Sequence, residues 1–137
     1  MEKTQCVYQA LRRRLTNSAT LAGMVVTTAM TVEGKNARST YPAITFRVIS
    51  GTGKSFKNLT AGDIYISVWS RSDNYARQLA SIYGVVYDNL HECEASLSTT
   101  NLGVGLMAEE TVNYPLYEQD IDTHYLASRW RIVAQKR

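Results

Sequence analysis

Between Asp63 and Ser70 the chain alternates with a period of two: Ile64, Ile66 and Val68 point one way, Tyr65, Ser67 and Trp69 the other. The period then changes. After Ser72-Asp73, an N-cap signal, Tyr75, Leu79, Ile82, Val86 and Leu90 recur at helical spacing to about His91, and Ala76 and Tyr83 widen the stripe. A strand with one apolar side and a helix with one apolar stripe must bury those surfaces, and a helix laid on a sheet buries both.

The flanking segments repeat the theme. Val7, Leu11 and Leu15, with Ala10 beside them, predict an amphipathic helix over residues 3–15, stopped by Thr16-Asn17-Ser18. A short turn through Leu21 follows. Met24 to Met30 is apolar and β-branched and predicts a strand. Glu33-Gly34-Lys35-Asn36 reads as a surface loop or hairpin tip. Pro42 opens a second strand through about Ile49, in which Ile44, Phe46 and Val48 share one face and Ala43, Thr45 and Arg47 the other. Ser50 to Thr60 and Ser96 to Asn101 read as connections. Leu102 to Tyr114 predicts a strand interrupted by Gly103 and Gly105 and ended by Pro115. A last strand runs from about Thr123 to Ala134, with Tyr125, Ala127, Arg129 and Arg131 opposite Leu126, Ser128, Trp130 and Ile132. Gly84 interrupts the long helix, and close packing on the sheet is the expected reason for a residue that costs about 1 kcal/mol there. The expected fold is α+β: a mostly antiparallel four- to five-stranded sheet with two helices packed on one face, one domain over residues 1–137.

A chain of 137 residues buries enough surface to need no staples. With 45% hydrophobic and 20% charged residues it reads as globular. No apolar run approaches the roughly 18 residues of a membrane span, and the amino terminus lacks the layout of a signal peptide, so a cytoplasmic setting is expected. Cys6 and Cys93 stand apart, as two reduced thiols. The net charge of +3 is unevenly placed. Residues 1–60 hold nine Lys and Arg against two Glu, a balance of +7; residues 61–137 hold six against ten acidic residues, a balance of −4. Such a split suits nucleic acid, an acidic partner, or copies that meet positive face to negative face.

Catalytic motifs fail on particular positions. Gly51-Thr52-Gly53-Lys54-Ser55 has the end of a phosphate-binding loop, but Val48 stands where the first glycine is required and no helical pattern follows. His91, Glu92 and Cys93 supply too few ligands for a metal, and no nucleophile signature accompanies Cys93 and His91 as a pair. His124, with Asp120 and Asp122, reads as a polar start to the last strand. No catalytic, metal or cofactor residue is assigned, and an enzyme is disfavoured. The nine tyrosines suit interfaces or the core equally. Arg12, Arg13 and Arg14 fall in the last turn of the first helix, where cations suit the helix dipole, or form a phosphate-binding patch.

Three segments, Tyr41-Pro42-Ala43-Ile44-Thr45-Phe46, Asp63-Ile64-Tyr65-Ile66-Ser67-Val68-Trp69-Ser70, and the helix containing Tyr75-Ala76-Arg77-Gln78-Leu79-Ala80 and Leu90, carry a resemblance over almost the whole chain. In their order and hydrophobic patterns they resemble the small tail completion proteins of long-tailed phages, the tail terminator and tail-to-head joining subunits. The resemblance implies a structural protein of the virion tail or neck, assembled in the host cytoplasm. It implies a ring, typically a hexamer, that caps the tail tube and meets the head connector, with a lumen for DNA. The implied partners are further copies, the major tail tube protein and the head-tail connector protein; no membrane and no active site are implied. By position it points to Glu33 to Ser39, Lys54 to Asn58 and an edge strand near Arg129 and Arg131 as subunit contacts, with Lys35, Arg38, Lys54, Lys57, Arg129 and Arg131 as the interface residues. The competing expectation is a small basic nucleic-acid-binding module using Arg12 to Arg14, Lys54 and Lys57, which requires strong salt dependence.

Overall fold

A computed structural model describes residues 3–32, 40–50, 59–98, 102–113 and 115–136. Helices α1 (Lys3–Thr16) and α2 (Ala19–Ala22) precede a short 3-10 turn (Thr27–Ala29) and strand β1 (Met30–Val32). Strands β2 (Ala43–Ser50) and β3 (Leu59–Ser70) follow, then helices α3 (Tyr75–Leu90) and α4 (Glu94–Leu97), and strands β4 (Leu102–Val112), β5 (Leu116–Glu118) and β6 (Thr123–Lys136).

The six strands form one sheet in the order β1-β2-β3-β6-β4, with β5 also on β6. All pairings are antiparallel except β1 with β2, which is parallel with Met30 opposite Ile44. The fold class is therefore as the patterns predict, with more strands. The predicted hairpin between the first two strands is corrected by the parallel pairing, because parallel neighbours need a connection that crosses back. Strands β3 and β4 both run antiparallel to β6, so β6 lies between two parallel strands joined through α3 and α4.

Both long helices lie on one face. Helix α3 packs on β3 and β6, whereas α1 meets β1 and β2 near one edge and also β4 at the other. A sheet whose two margins reach the same helix must curl around it. The side chains facing α1 and α3 include Ile44, Phe46, Ile64, Ile66, Val68, Trp130 and Ile132, and these meet Leu11, Leu15, Leu79, Ile82 and Leu90 in one buried core. Arg14 serves this packing. Its Nε donates to the carbonyl of Asn89 at 2.9 Å, in the last turn of α3, where a cation is favoured.

Three local expectations are corrected. Met24 to Met30 forms no strand before Met30; the amides of Met24 and Val25 both donate to Leu21 O, which closes a turn, and Val25, Ala29 and Met30 reach the core from it. Ser72-Asp73 is not the cap of α3. Asn74 stands there with no side-chain cap, while Ser72 Oγ accepts from the Asn74 amide and shapes the approach. Gly84 does not pack on the sheet: it is exposed, and an added Cβ would have no heavy atom within 4 Å. Gly84→Ala should therefore stabilise the chain by about 1 kcal/mol through helix propensity. A urea midpoint that falls instead would show that the exposed side of α3 is constrained after all.

Candidate assembly surface

On the sheet face away from the helices, side chains form cross-strand rows. Ala43, Trp69 and Tyr125 share one row, and Thr45, Ser67 and Ala127 the next. Here Trp69 stacks on Tyr125 with ring centroids 4.5 Å apart, and its Nε1 donates to Thr45 Oγ1 at 2.9 Å. The following rows, Arg47–Tyr65–Arg129 and Ile49–Asp63–Arg131, are charged. Arg129 Nη2 lies 2.6 Å from Asp63 Oδ2, and its Nε lies 3.3 Å from Glu110 Oε2. The Asp63 hydrogen bond and charge hold the guanidinium even more firmly protonated. Tyr65 lies beneath two guanidinium groups, that of Arg47 at 5.3 Å and that of Arg129 at 5.9 Å.

The two expected interface arginines therefore differ. Arg129 is tied to two carboxylates of its own chain, whereas exposed Arg131 makes no ion pair among the described residues. Their strand is not an edge, which corrects that expectation: β6 is paired on both sides, by β3 and by β4 with β5. The alternation of β6 makes it look half exposed because only one of its faces is covered by helices. Lys35, Arg38, Lys54 and Lys57 lie outside the described residues, as does Gly51 to Ser55.

The long margin of the sheet is instead β4 continued by β5. Both lie on the same side of β6, and Asn113 bridges the gap by donating to Ala127 O at 2.9 Å. The first half of this margin is covered. Val104 N donates to Ser98 Oγ at 3.0 Å and Met107 N to Glu94 Oε1 at 3.2 Å, which fasten α4 and the residue after it against the strand. Beyond Met107, among the described residues, Tyr83 Oη of α3 donates to the Glu109 carboxylate, but no backbone amide of the strand is bonded by a side chain from outside the sheet. That open half exposes Val112, Leu116 and Tyr117 at 39%, 42% and 50%. These are the residues that sequence reasoning missed. Pro115 marks a strand's end, yet it is equally at home on an edge, and that second meaning was the available signal.

Among the described residues, the cysteines and histidines singled out in the sequence are placed as follows. Cys93 is buried and its thiol is pushed up to about 11 by burial, well away from the thiolate a nucleophile needs. His91 is exposed, with Nδ1 3.2 Å from Tyr87 Oη and Nε2 3.7 Å from Glu92. His124 stacks on Tyr75 at 3.6 Å and lies 4.8 Å from Tyr117, so it is part of an aromatic cluster. Among the described residues no three His, Cys, Asp or Glu side chains converge as a metal site. The described helices include none long and apolar enough to cross a membrane. Of the arginine run, Arg12 and Arg13 are exposed and Arg14 is committed to α3.

Compared with solved structures, the chain matches a subunit of the virion of a native gene transfer agent particle, with a TM-score of 0.74 at 16% identity. The two chains share a fold. The match covers 98% of this chain and 99% of the other, so it takes in the whole helix-and-sheet arrangement, including the β4–β5 margin. No protein-family model matches the chain, and no curated protein matches it in sequence.

Proposed function

We propose that the chain is a structural subunit of a virion tail or neck, a ring-forming tail terminator or tail-to-head joining protein that works by assembly and not by catalysis. The observation that carries this reading is the end-to-end fold match with a chain of a virion. Two features support it. The order of the strand and helix patterns resembles tail completion proteins, and the open half of the β4–β5 margin carries apolar side chains, a surface suited to a partner. Its partners on this reading are copies of itself, in a closed ring of the hexameric kind, the tail tube protein below and the head-tail connector above. The ring lumen admits DNA.

Removing the gene from the parent particle tests this directly. Negative-stain microscopy should then show tails of uncontrolled length, or full tails and full heads that have not joined. Particles of normal form and titre would end the reading.

A further inference from the structure

We infer that a cleft at one end of the sheet takes up a single protein carboxylate, the side chain of an Asp or Glu on a partner chain, through the guanidinium of Arg71. This goes beyond the ring reading and does not depend on it.

The cleft opens where β2 begins and β3 ends. Tyr41 and Pro42 lead into β2, Arg71 and Ser72 follow β3, and Gln78 reaches it from the start of α3. Its volume of about 270 Å³ is many times the roughly 10–15 Å³ that admits one water, so a side chain fits.

Arg71 is held in place before any ligand arrives. Its Nε donates to Thr123 Oγ1 at 3.1 Å and its Nη2 to the carbonyl of Ile121 at 3.2 Å. The guanidinium carbon also stands 4.2 Å from the centre of the Tyr41 ring. All of these contacts are with uncharged groups. Arg71 makes no ion pair among the described residues, and the hydrogens of Nη1 and the second of Nη2 find no acceptor there. They lie along the end of the fork, an edge that can grip a carboxylate with two parallel bonds. An arginine that served only to tie the end of β3 to the start of β6 would need neither this edge nor a cleft beside it.

The wall offers a further donor. Ser70 is fully buried; its Oγ accepts from the Ser72 amide at 3.2 Å and gives its own hydrogen to Gln78 Oε1. That bond occupies the amide oxygen of Gln78 and leaves its Nε2 without an acceptor among the described residues. The cleft thus combines a fixed cation and a fixed amide with the apolar surfaces of Tyr41 and Pro42.

The charge present favours a carboxylate over nucleic acid. Arg71 is the one cation among the cleft residues, and Asp73, Asp120 and Asp122 lie close along the chain to the residues that form or anchor it. A duplex brings a negative charge about every 1.7 Å and is held by several cations together, so these aspartates would repel it. A single carboxylate needs one arginine.

Nuclear magnetic resonance of the isotope-labelled full-length chain tests this. The probe is N-acetylglutamate α-amide, whose only charge is its side-chain carboxylate, and the control is N-acetylglutamine α-amide. The glutamate probe should shift the Arg71 Nε–H and Gln78 side-chain signals saturably, with a dissociation constant on the order of a few millimolar. The control should not. Arg71→Gln should weaken binding at least about tenfold, and Arg71→Lys should weaken it too, because it keeps the charge and loses the fork. Should those variants fail to fold, Gln78→Glu leaves Arg71 and its anchors in place, sets a competing carboxylate on the wall, and should weaken binding about tenfold as well.

A wild type with no saturable shift up to about 100 mM probe, far above the expected constant, overturns the inference. Equal shifts with the glutamine control overturn it, as does binding that none of the folded variants disturbs. If the wild type ignores the glutamate probe and Arg71→Gln abolishes binding of a short duplex DNA, the guanidinium belongs to phosphate and the inference fails.

Discussion

Replacing Trp130 with alanine is expected to cost about 3–5 kcal/mol, a large part of the stability of a domain of this size. Trp130 is fully buried on the helix-facing side of the central strand β6, with its ring 5.9 Å from that of Tyr87 on α3. It also anchors a polar chain inside the core. Its Nε1 donates to Ser128 Oγ at 3.1 Å, and Ser128 Oγ donates in turn to Ile66 O at 2.8 Å on β3. The substitution leaves both a cavity and a hydroxyl with one partner fewer. Urea denaturation at neutral pH measures the loss. Arg131→Ala on the exposed face of the same strand serves as the control and should stay within about 0.5 kcal/mol. A Trp130→Ala loss as small as that of the control would mean that β6 is not the centre of the core.

Alkaline pH should give the second large effect. The buried Cys93 thiol is pushed up to about 11, chiefly by burial, although the nearby Arg14 charge pulls it down. The unfolded chain releases that proton near the ordinary value of about 8.5. Between these two pH values the folded chain holds a proton that the unfolded chain has lost, so stability falls as pH rises. The contribution is complete below about pH 8 and its loss reaches on the order of 2 kcal/mol by about pH 11. Tyr83 acts in the same direction at still higher pH. Burial and its hydrogen bond to Glu109 raise its phenol above the usual range. Urea midpoints between pH 8 and pH 11 should therefore decline, with a shallower slope in Cys93→Ala. A slope unchanged by that substitution would assign the alkaline loss to other groups.

The elements that strongly periodic segments define were legible in the sequence. The β3 alternation and the α3 stripe lead directly to a helix-on-sheet core, since Ile64, Ile66 and Val68 face Leu79, Ile82 and Leu90 as their spacing requires. Short elements were not legible, because three residues carry too little pattern. Strand β1 is that short, and its parallel pairing depends on Met30 meeting Ile44, a contact no local signal contains. The β-branched Val25-Val26-Thr27-Thr28 run looks like a strand, yet turn hydrogen bonds and burial of Val25 and Ala29 override that propensity. The surface was harder still. Arg129 and Arg131 have the exposure of interface residues, but exposure does not distinguish a strand on an edge from one face of a central strand. That distinction comes only from which strands flank β6, and it moves attention to Val112, Leu116 and Tyr117.

The β4 margin breaks register twice, between Val104 and Leu106 and between Glu109 and Thr111, so Gly105 and Glu110 are left unmatched against β6. An incoming strand finds no straight ladder of amides and carbonyls there, and an identical margin would bring its own carboxylates with it. A straight neighbouring strand therefore cannot pair along the whole of this margin, which disfavours edge-to-edge templating between copies.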